Sequence, residues 1–300
     1  MPTFPPRTVL VTGATGQQGG ATAARLLADG WRVRALTRNV SGPSARALAE
    51  AGADLVTGDL DDPASLRAAA DGVDGVFSVQ PTPGMPEVSA DYTAEDEIRR
   101  GRNVADAAAD AGAGHLVFAS AFGADHPDQP LATLAAKRRI EEHIEELGIS
   151  ATFLRPASFM ENLLHPLWGL RDGALVTPYL PETRQQFIAL EDIAAFAAFA
   201  FTDPDQWRGR ALDLAGDTLT PVETASALSR AVGRDIPYVP VPLEAVRAHS
   251  EEAARGIESL NEGRYALVDT GALRELHPGL LTFGGWLDRT GAARVRALLS

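Results

Sequence analysis

Short apolar runs alternate with amphipathic stretches along the first half of the chain. The apolar runs have the length and composition of strands buried on both faces. We predict such strands at residues 8–12, 32–37, 54–57, 75–79, 115–119 and 151–154. The intervening stretches show helical periodicity at residues 18–29, 45–51, 94–111 and 132–147. Strands that alternate with helices at such short intervals predict an α/β fold with a doubly wound parallel sheet.

The pattern loosens after Pro156, where prolines and glycines become frequent and the helical stretches become shorter. Two apolar runs, at residues 187–190 and 211–214, look like further strands of the sheet. The remaining segments predict a smaller, interleaved C-terminal cap domain. The expected division is a sheet domain at 1–156 with the strands near 187–214, and a cap domain at 157–300, mostly 160–186 and 216–285.

Composition and charge exclude several functional classes. The chain has 300 residues, no cysteine and a net charge of −13. Without cysteine there is no disulfide framework, zinc ribbon, iron–sulfur cluster or thiol nucleophile, and no histidine motif with metal-ligand spacing is present. A strongly acidic chain is a poor non-specific phosphate binder, so we expect no direct binding to nucleic acid. No apolar run approaches the roughly 20 residues of a membrane span, and no secretory signal is visible, so we expect a cytoplasmic protein.

A glycine-rich segment joins the first predicted strand to the first predicted helix. Three glycines have the spacing Gly-x-x-Gly-x-x-Gly within residues 9–20. In this context such glycines allow a tight turn, close approach of backbone N–H groups to a pyrophosphate, and close packing of helix on strand. We predict a dinucleotide-binding loop; the alternative is a turn whose glycines serve packing alone. The residues expected to bind the dinucleotide here are Gly13, Thr15, Gly16, Gln17, Gln18 and Gly19.

The residues at the end of the second predicted strand indicate whether the site prefers NAD(H) or NADP(H). A site for NAD usually has an acidic residue there, which accepts hydrogen bonds from the ribose hydroxyls. This chain has Thr37-Arg38-Asn39 instead, and a guanidinium pairs with a 2′-phosphate. We therefore expect NADP(H) in preference to NAD(H). The alternative is that Arg38 points into solvent.

Other candidate binding residues follow the third, fourth and fifth strands. Asp59 and Leu60 lie where side chains flank an adenine, whereas Asp61 and Asp62 are better explained as helix caps. The residues expected at the ligand crevice, at the carboxyl ends of their strands, are Gln80 and Ser120.

Lys137 is the only lysine in the chain, and every other basic residue is an arginine. Arginine keeps its proton, whereas a lysine ammonium is compact and can lose its own. A lone lysine in this background indicates a position that arginine cannot fill. The alternative is a surface lysine beside Arg138 and Glu141 on the predicted helix.

Several of these segments together resemble the NmrA-like family of atypical short-chain dehydrogenase/reductases. The segments that carry the resemblance are residues 11–20, 37–39, 58–59, 155–164 and 282–287. The resemblance covers nearly the whole chain and implies an NADP-binding Rossmann domain, a cap, and a cleft between them for a small-molecule substrate. It also implies that Lys137 lies near the nicotinamide and acts in proton transfer or ribose binding. Pro156 would meet the nicotinamide face, and Phe159 would pack on the ring or line the pocket. The alternative for Phe159 is ordinary core packing.

The chain departs from ordinary short-chain dehydrogenases at the acid tyrosine, because Thr133 stands four residues before Lys137. An aliphatic hydroxyl is too weak an acid for that role. The proton donor is then Lys137, a cap residue such as Tyr179 or His165, or a bound water; the alternative is that the protein has no proton donor.

These features predict an oxidoreductase that transfers hydride from NADPH to a small electrophilic substrate such as a quinone, enone or aldehyde. The alternative is a non-catalytic NADP(H)-binding redox sensor that regulates a protein partner. The absent tyrosine weakens a third possibility, an epimerase or dehydratase. The sequence also allows a homodimer.

Overall fold

The computed structural model describes residues 7–84, 88–126, 131–165 and 169–300. Strands and helices alternate along the first half of the chain. In order, the elements are β1 (Thr8–Val11), α1 (Gln17–Ala28), β2 (Arg32–Thr37), α2 (Pro43–Glu50), β3 (Asp54–Thr57), α3 (Pro63–Ala70), β4 (Gly75–Ser78), α4 (Ala94–Asp110), β5 (His115–Ala119), α5 (Ala132–Leu147) and β6 (Ala151–Pro156).

The second half has shorter elements. They are β7 (Ser158–Phe159), a 3₁₀ turn (Met160–Leu164), β8 (Leu170–Arg171), β9 (Ala174–Thr177), β10 (Gln185–Ile188), α6 (Leu190–Thr202), α7 (Pro204–Trp207), β11 (Ala211–Leu214), β12 (Asp217–Leu219), α8 (Pro221–Val232), β13 (Tyr238–Pro240), α9 (Leu243–Arg247), α10 (Glu251–Asn261), α11 (Thr270–Leu276), α12 (Phe283–Trp286), a π turn (Leu287–Gly291) and α13 (Ala292–Leu299).

Seven strands form the main sheet, in the order β11-β6-β5-β4-β1-β2-β3. Strands β1 to β6 pair in parallel. The strand order reverses between β1 and β4, and in open α/β sheets ligands bind outside the carboxyl ends of the strands at such a reversal. The predicted doubly wound α/β fold is confirmed, and the topology puts the glycine segment that follows β1 at this reversal.

The chain divides into two compact units. The first unit comprises Met1–Asp125, Thr133–Arg155 and Ile193–Leu212, and the second comprises His126–Ala132, Pro156–Asp192 and Asp213–Ser300. The core of the first unit packs helices against the apolar sheet. Among its fully buried large side chains are Leu10, Leu66, Leu116, Phe118 and Ile140.

The second unit contains two three-stranded sheets, β12-β10-β7 and β13-β9-β8. Its core is built on Phe187, Phe283 and Trp286, with the aromatic rings of Phe283 and Trp286 5.5 Å apart between centroids. This arrangement corrects one prediction. The run at 187–190 was expected to extend the main sheet, but β10 pairs antiparallel with β12 and in parallel with β7. The run at 211–214 does join the main sheet, at its edge beside β6.

Within the described residues, no helix has the length and apolar character that crossing a membrane requires.

Candidate functional site

The glycine segment forms a tight turn between β1 and α1. Gly13 adopts a left-handed backbone conformation with φ +56°, which is unfavourable for residues that carry a Cβ atom. The N–H of Gly16 donates to the carbonyl oxygen of Gly13 at 2.9 Å. A Cβ on Gly19 would lie 2.3 Å from that same oxygen and 2.8 Å from the carbonyl oxygen of Thr12. The turn therefore has no space for a side chain at position 19.

The N-terminus of α1 is arranged to receive an anion. Its N-cap is Gly16, no side chain caps it, and no acidic residue lies in its first turn. The residues Thr15, Gly16 and Gln17 are exposed. The free N–H groups and the helix dipole favour a negative charge at such a terminus. These features fit the pyrophosphate of a dinucleotide.

Buried polar atoms lie after the carboxyl ends of β4 and β5 and in the first turn of α1. Gln80 is 4% exposed and Ser120 is 2% exposed. Within the described chain, the Oε1 atoms of Gln18 and Gln80 and the Oγ atom of Ser120 are buried without a hydrogen-bond partner. A buried polar atom without a partner costs free energy, so these three atoms are suited to a polar ligand.

Thr12 ties the end of β1 to the end of β4, a role that the sequence analysis missed. Its Oγ1 lies 3.0 Å from the carbonyl oxygen of Val79 and accepts the N–H of Val79 at 2.8 Å. The residue is fully buried. A hydroxyl among apolar strand residues directly before Gly13 was the available signal.

Arg38 is exposed at the end of β2. It forms no ion pair with any residue that the structure describes, so its guanidinium is available to a ligand. The adjacent turn is fixed by neighbouring side chains, because the N–H of Asn39 donates to Oγ1 of Thr37 and the N–H of Ser41 donates to Oδ1 of Asn39.

Asp59 and Leu60 are half-buried after β3. Oδ1 of Asp59 accepts the N–H of Asp61 at 2.9 Å, and the Leu60 carbonyl accepts the side-chain amide of Asn103 at 2.9 Å. Both residues are thus held by local contacts at the third strand end.

The capping interpretation is correct for Asp62 and wrong for Asp61. Asp62 is the N-cap of α3 and accepts the N–H of Ala64. Asp61 instead accepts hydrogen bonds from the guanidinium groups of Arg99 and Arg100. The hydrogen bond from Arg100 and the neighbouring Arg99 lower the pKa of Asp61 to about 2. The arginines come from α4, which local sequence reasoning at α3 does not include.

Lys137 lies on the buried face of α5 and is 5% exposed, so its interpretation as a surface lysine is wrong. Its Nζ lies 2.7 Å from Oε1 of Glu97 and 3.3 Å from the carbonyl oxygen of Ala119. The ammonium also lies 5.5 Å from the centroid of the Phe118 ring. Because Ala119 ends β5 and precedes Ser120, the structure brings Lys137 to the same strand end as that candidate residue.

Glu97 is the partner that the sequence analysis missed. It projects from α4 and is 0% exposed. Burial raises the pKa of Glu97 above its usual value, and the ammonium of Lys137 opposes that rise. An acidic residue on the apolar face of a helix was the available signal, since charged side chains are rarely fully buried unless paired.

A second buried ion pair lies one turn further along α5. Arg155 donates from Nε to Oε1 of Glu141 at 2.9 Å and from Nη2 to Oε2 at 2.6 Å. Arg138 also contacts Glu141 at 3.1 Å, and Arg155 reaches Asp125. This bidentate pair fixes Arg155, the first residue of the segment 155–164.

Three predicted site residues belong to the second unit. Pro156 is buried, and Phe159 is half-buried and pairs with Ile188 in the sheet. The carbonyl oxygen of Tyr179 accepts the hydroxyl of Tyr238 at 2.5 Å. Burial raises the pKa of the Tyr179 phenol above its usual value, which makes that phenol a weaker acid.

A pocket of about 420 Å³ lies within the second unit beside Tyr179. Its lining is mainly apolar and includes Leu180, Pro240 and Leu243, with Asn261 at one side. Oδ1 of Asn261 accepts the N–H of Leu180 at 3.0 Å. The amide oxygen of Asn261 is thus used to hold the pocket wall.

Within the described ranges, no group of three or more histidine, aspartate or glutamate side chains could hold a metal ion. The structure brings the glycine loop, Gln80, Ser120 and Lys137 to the carboxyl ends of neighbouring strands β1, β4 and β5. This arrangement fits the requirements of a dinucleotide site at the carboxyl ends of parallel strands.

Comparison with known proteins gives the family. The model of the NmrA-like family matches residues 5–275. The (4-alkanoyl-5-oxo-2,5-dihydrofuran-3-yl)methyl phosphate reductase of Streptomyces griseus is 34% identical over 80% of this chain and 79% of its own length. The NAD(P)H azoreductase of Xenophilus azovorans is 33% identical over 79% of this chain and 78% of its own length.

A solved structure gives a similar result. The triphenylmethane reductase of Citrobacter sp., complexed with NADP(H), superposes with a TM-score of 0.74 at 25% identity, over 94% of this chain and 99% of that chain. The family model and the two reductase relatives each cover well over half of the sequence. The chain therefore belongs to the NmrA-like family.

Proposed function

We propose that this protein is an NADPH-dependent reductase that transfers hydride to a small electrophilic substrate such as a quinone, enone or aldehyde. The observation that carries the proposal is the position of the Lys137 ammonium, 3.3 Å from the carbonyl oxygen that ends β5, at the ligand edge of the sheet. The two relatives named as reductases support an oxidoreductase.

The first unit offers the residues for the nucleotide. The glycine loop and the N-terminus of α1 would hold the pyrophosphate, and Arg38 would pair with a 2′-phosphate. Asp59 and Leu60 would flank the adenine. The buried polar atoms of Gln18, Gln80 and Ser120 would gain the partners that they lack. The resemblance adds Pro156 and Phe159 at the nicotinamide.

A bound nicotinamide cofactor supplies the hydride, and the reduction of a carbonyl or quinone also needs a proton for the oxygen atom. We assign that proton to Lys137. Its ammonium carries three N–H groups, and two contacts, with Glu97 and Ala119, are accounted for. Thr133 is too weak an acid for the step. Burial raises the pKa of the Tyr179 phenol, which makes that phenol a poorer proton donor.

The redox sensor is the second candidate, and Thr133 in the place of an acid tyrosine is the observation that favours it. A sensor needs the nucleotide site but not the proton source. The two candidates therefore differ in what happens when Lys137 is changed.

The test follows NADPH absorbance with quinones, enones, aldehydes and an azo dye, the last chosen from the name of one relative. We expect turnover that Lys137→Met reduces by at least a hundredfold at a temperature where circular dichroism and NADPH binding show the variant to be folded, since general acid catalysis contributes about 10²–10⁴-fold. The matched control is Arg139→Met, an exposed cation on the same helix that pairs with Glu95. Tight NADPH binding without turnover on any substrate would favour the sensor. Equal loss in both variants would contradict the role of Lys137.

Cofactor preference is tested separately by measuring the dissociation constants of NADPH and NADH. Arg38→Ala should weaken NADPH binding about tenfold or more, because a charge-assisted hydrogen bond contributes roughly 1.5–3 kcal/mol. NADH binding should stay unchanged. Arg32→Ala, at the opposite end of β2, is the control. Equal losses for NADPH and NADH would contradict the assignment of Arg38.

Two finer expectations stay predictions. A cytoplasmic location agrees with a reductase that draws on the cellular NADPH pool. A homodimer or a regulatory protein partner is open to measurement of the molecular mass in solution.

A further inference from the structure

The buried carboxylate of Glu97 has no role in the function proposed above. Among the described residues, it is the only carboxylate within ion-pair distance of the Lys137 ammonium. Its Oε2 is buried without a hydrogen-bond partner in the described chain. A carboxylate that is 0% exposed costs free energy to desolvate, so its position needs an explanation beyond stability.

Two neighbouring features of α4 hold Glu97 in place. The helix begins with a capping box in which the hydroxyl of Thr93 accepts the N–H of Asp96 and the carboxylate of Asp96 accepts the N–H of Thr93. One turn beyond Glu97, a Cβ on Gly101 would lie 2.5 Å from the side chain of Ile140. The helices α4 and α5 are therefore in close contact one turn from the ion pair. This contact leaves Glu97 little freedom to move away from Lys137.

The other charged groups around the pair are already engaged. On α5, Glu141 is bound by Arg138 and by Arg155 of β6. From the turn before α4, Tyr92 carries the guanidinium of Arg100 over its ring at 4.7 Å. Burial raises the pKa of the Tyr92 phenol, and the charge on Glu97 raises it further. The end of β5 contributes the neutral carbonyl of Ala119. In the part of the chain that the structure describes, Glu97 is the carboxylate that pairs with the ammonium.

We propose that Glu97 is a positioning residue that holds the ammonium of Lys137 at the carboxyl end of β5 and keeps it protonated there. The catalytic consequence rests on the proposed function, but the effect on protonation does not. Without the carboxylate, the buried ammonium keeps the Ala119 carbonyl and the Phe118 ring but loses its counter-charge. Burial then favours the neutral amine. Lys137 would lose its proton at a lower pH.

The protonation of Lys137 is directly measurable, because the chain has no other lysine. Protein labelled with ¹³C and ¹⁵N lysine, with any tag removed, gives one side-chain signal. Its ε-carbon shift is followed against pH in the wild type and in Glu97→Gln. We expect the midpoint to fall by roughly one to three pH units in the variant. Glu97→Asp, which keeps the charge, should recover part of the difference.

The control variant is Glu95→Gln. Glu95 belongs to the same helix, is exposed, and pairs with Arg139 of α5, so its loss should leave the midpoint unchanged. A Glu97→Gln midpoint equal to that of the wild type would overturn the proposal. So would an equal fall in Glu95→Gln, because that result would indicate a general loss of α4–α5 packing.

A measurement on the wild type covers the case in which Glu97→Gln does not fold. An ammonium held by a buried carboxylate exchanges its protons slowly, so its ¹⁵Nζ–H signal should be observable at pH 7. Absence of that signal in folded protein would overturn the proposal.

If the reductase assay yields a substrate, the rate gives a second readout. The basic limb of the kcat profile should move to lower pH in Glu97→Gln, while KM for NADPH changes little. Failure of the whole substrate panel with a shifted lysine midpoint would refute the proposed function alone. Turnover with an unshifted midpoint would refute the role of Glu97 alone.

Discussion

Replacement of Lys137 by methionine should destabilise the first unit strongly, because it removes one partner of a buried ion pair. The side chains of Lys137 and Glu97 are 6% and 0% exposed, and their charged atoms lie 2.7 Å apart. Methionine fills much of the lysine volume, so the main change is electrostatic. Glu97 would be left without a paired cation among the described residues.

The structure gives the size of the effect. Breaking a buried pair by removing one partner costs about 3–5 kcal/mol, whereas replacing both partners by apolar residues of similar volume is often close to neutral. We therefore expect Lys137→Met to cost about 3–5 kcal/mol at pH 8. The double variant Lys137→Met/Glu97→Leu, which leaves no charged or polar side chain at either position, should lie within about 1 kcal/mol of the wild type. The matched exposed pair, Arg139 and Glu95, should show a coupling energy of about 0–1 kcal/mol.

The cost should depend on pH in a defined direction. Burial raises the pKa of Glu97 in the folded state, and the methionine variant lacks the ammonium that opposes this rise. As pH falls, the folded variant takes up a proton before the unfolded chain does, so the penalty of the buried charge is relieved. The destabilisation should be largest above the folded pKa of Glu97 and should shrink as pH falls from 8 to 5.

The assay is urea unfolding of the wild type, both single variants and the double variant at pH 8 and pH 5. Amide hydrogen exchange in β4, β5 and β6 assigns the transition to the first unit. Single-variant losses below about 1 kcal/mol, or a double-variant loss equal to the sum of the two, would refute the reasoning. Either result would mean that the pair is solvated or relaxes without cost.

Three further predictions concern other buried positions. Gly19→Ala should weaken NADPH binding at least tenfold and destabilise the loop by about 1–3 kcal/mol, because its Cβ would lie 2.3 Å from a backbone oxygen. Both effects can be measured by calorimetry. The control is Gly20→Ala, whose Cβ would lie 3.2 Å from its nearest atom. Burial lowers the pKa of His115 to about 4. The free energy of unfolding should therefore fall by about 3 kcal/mol as pH decreases from 6.5 to 4. In urea titrations, His115→Gln should remove this dependence of stability on pH. Glu161→Leu should lower the stability of the second unit by about 2–3 kcal/mol in thermal melts. It leaves the indole N–H of Trp286 and the N–H of Leu190 without their acceptor. Glu161→Gln keeps one acceptor oxygen and should cost less.

The elements of the first half could be predicted closely from the sequence. The strands at 32–37, 54–57 and 115–119 and the helix at 132–147 have the predicted bounds. Their signals are local, because a short apolar run between glycine or aspartate residues has few alternatives to a buried strand. Parallel pairing then follows from the helices between the strands.

The sheet to which a strand belongs is not a local property, and this explains the error at 187–190. The run is as apolar as those of the main sheet, and it does form a strand. Its partner β12 lies some thirty residues further on and has only three residues, Asp217 to Leu219. Such a short and partly polar strand carries little periodic signal, so the second sheet was not predicted.

The ion pair of Glu97 and Lys137 could be predicted only in part from the sequence. Each residue breaks the apolar face of its own helix: Glu97 beside Ile98 and Gly101 on α4, and Lys137 beside Ile140 on α5. Crossovers between parallel strands are right-handed, and β4, β5 and β6 are neighbours in that order. The helices α4 and α5 must therefore cover the same face of the sheet. Two opposite charges on the inward faces of adjacent helices satisfy each other most readily by pairing, so topology and periodicity together specify the partners. The sequence does not specify how deeply the pair is buried, because that depends on the close approach of the two helices at Gly101 and Ile140.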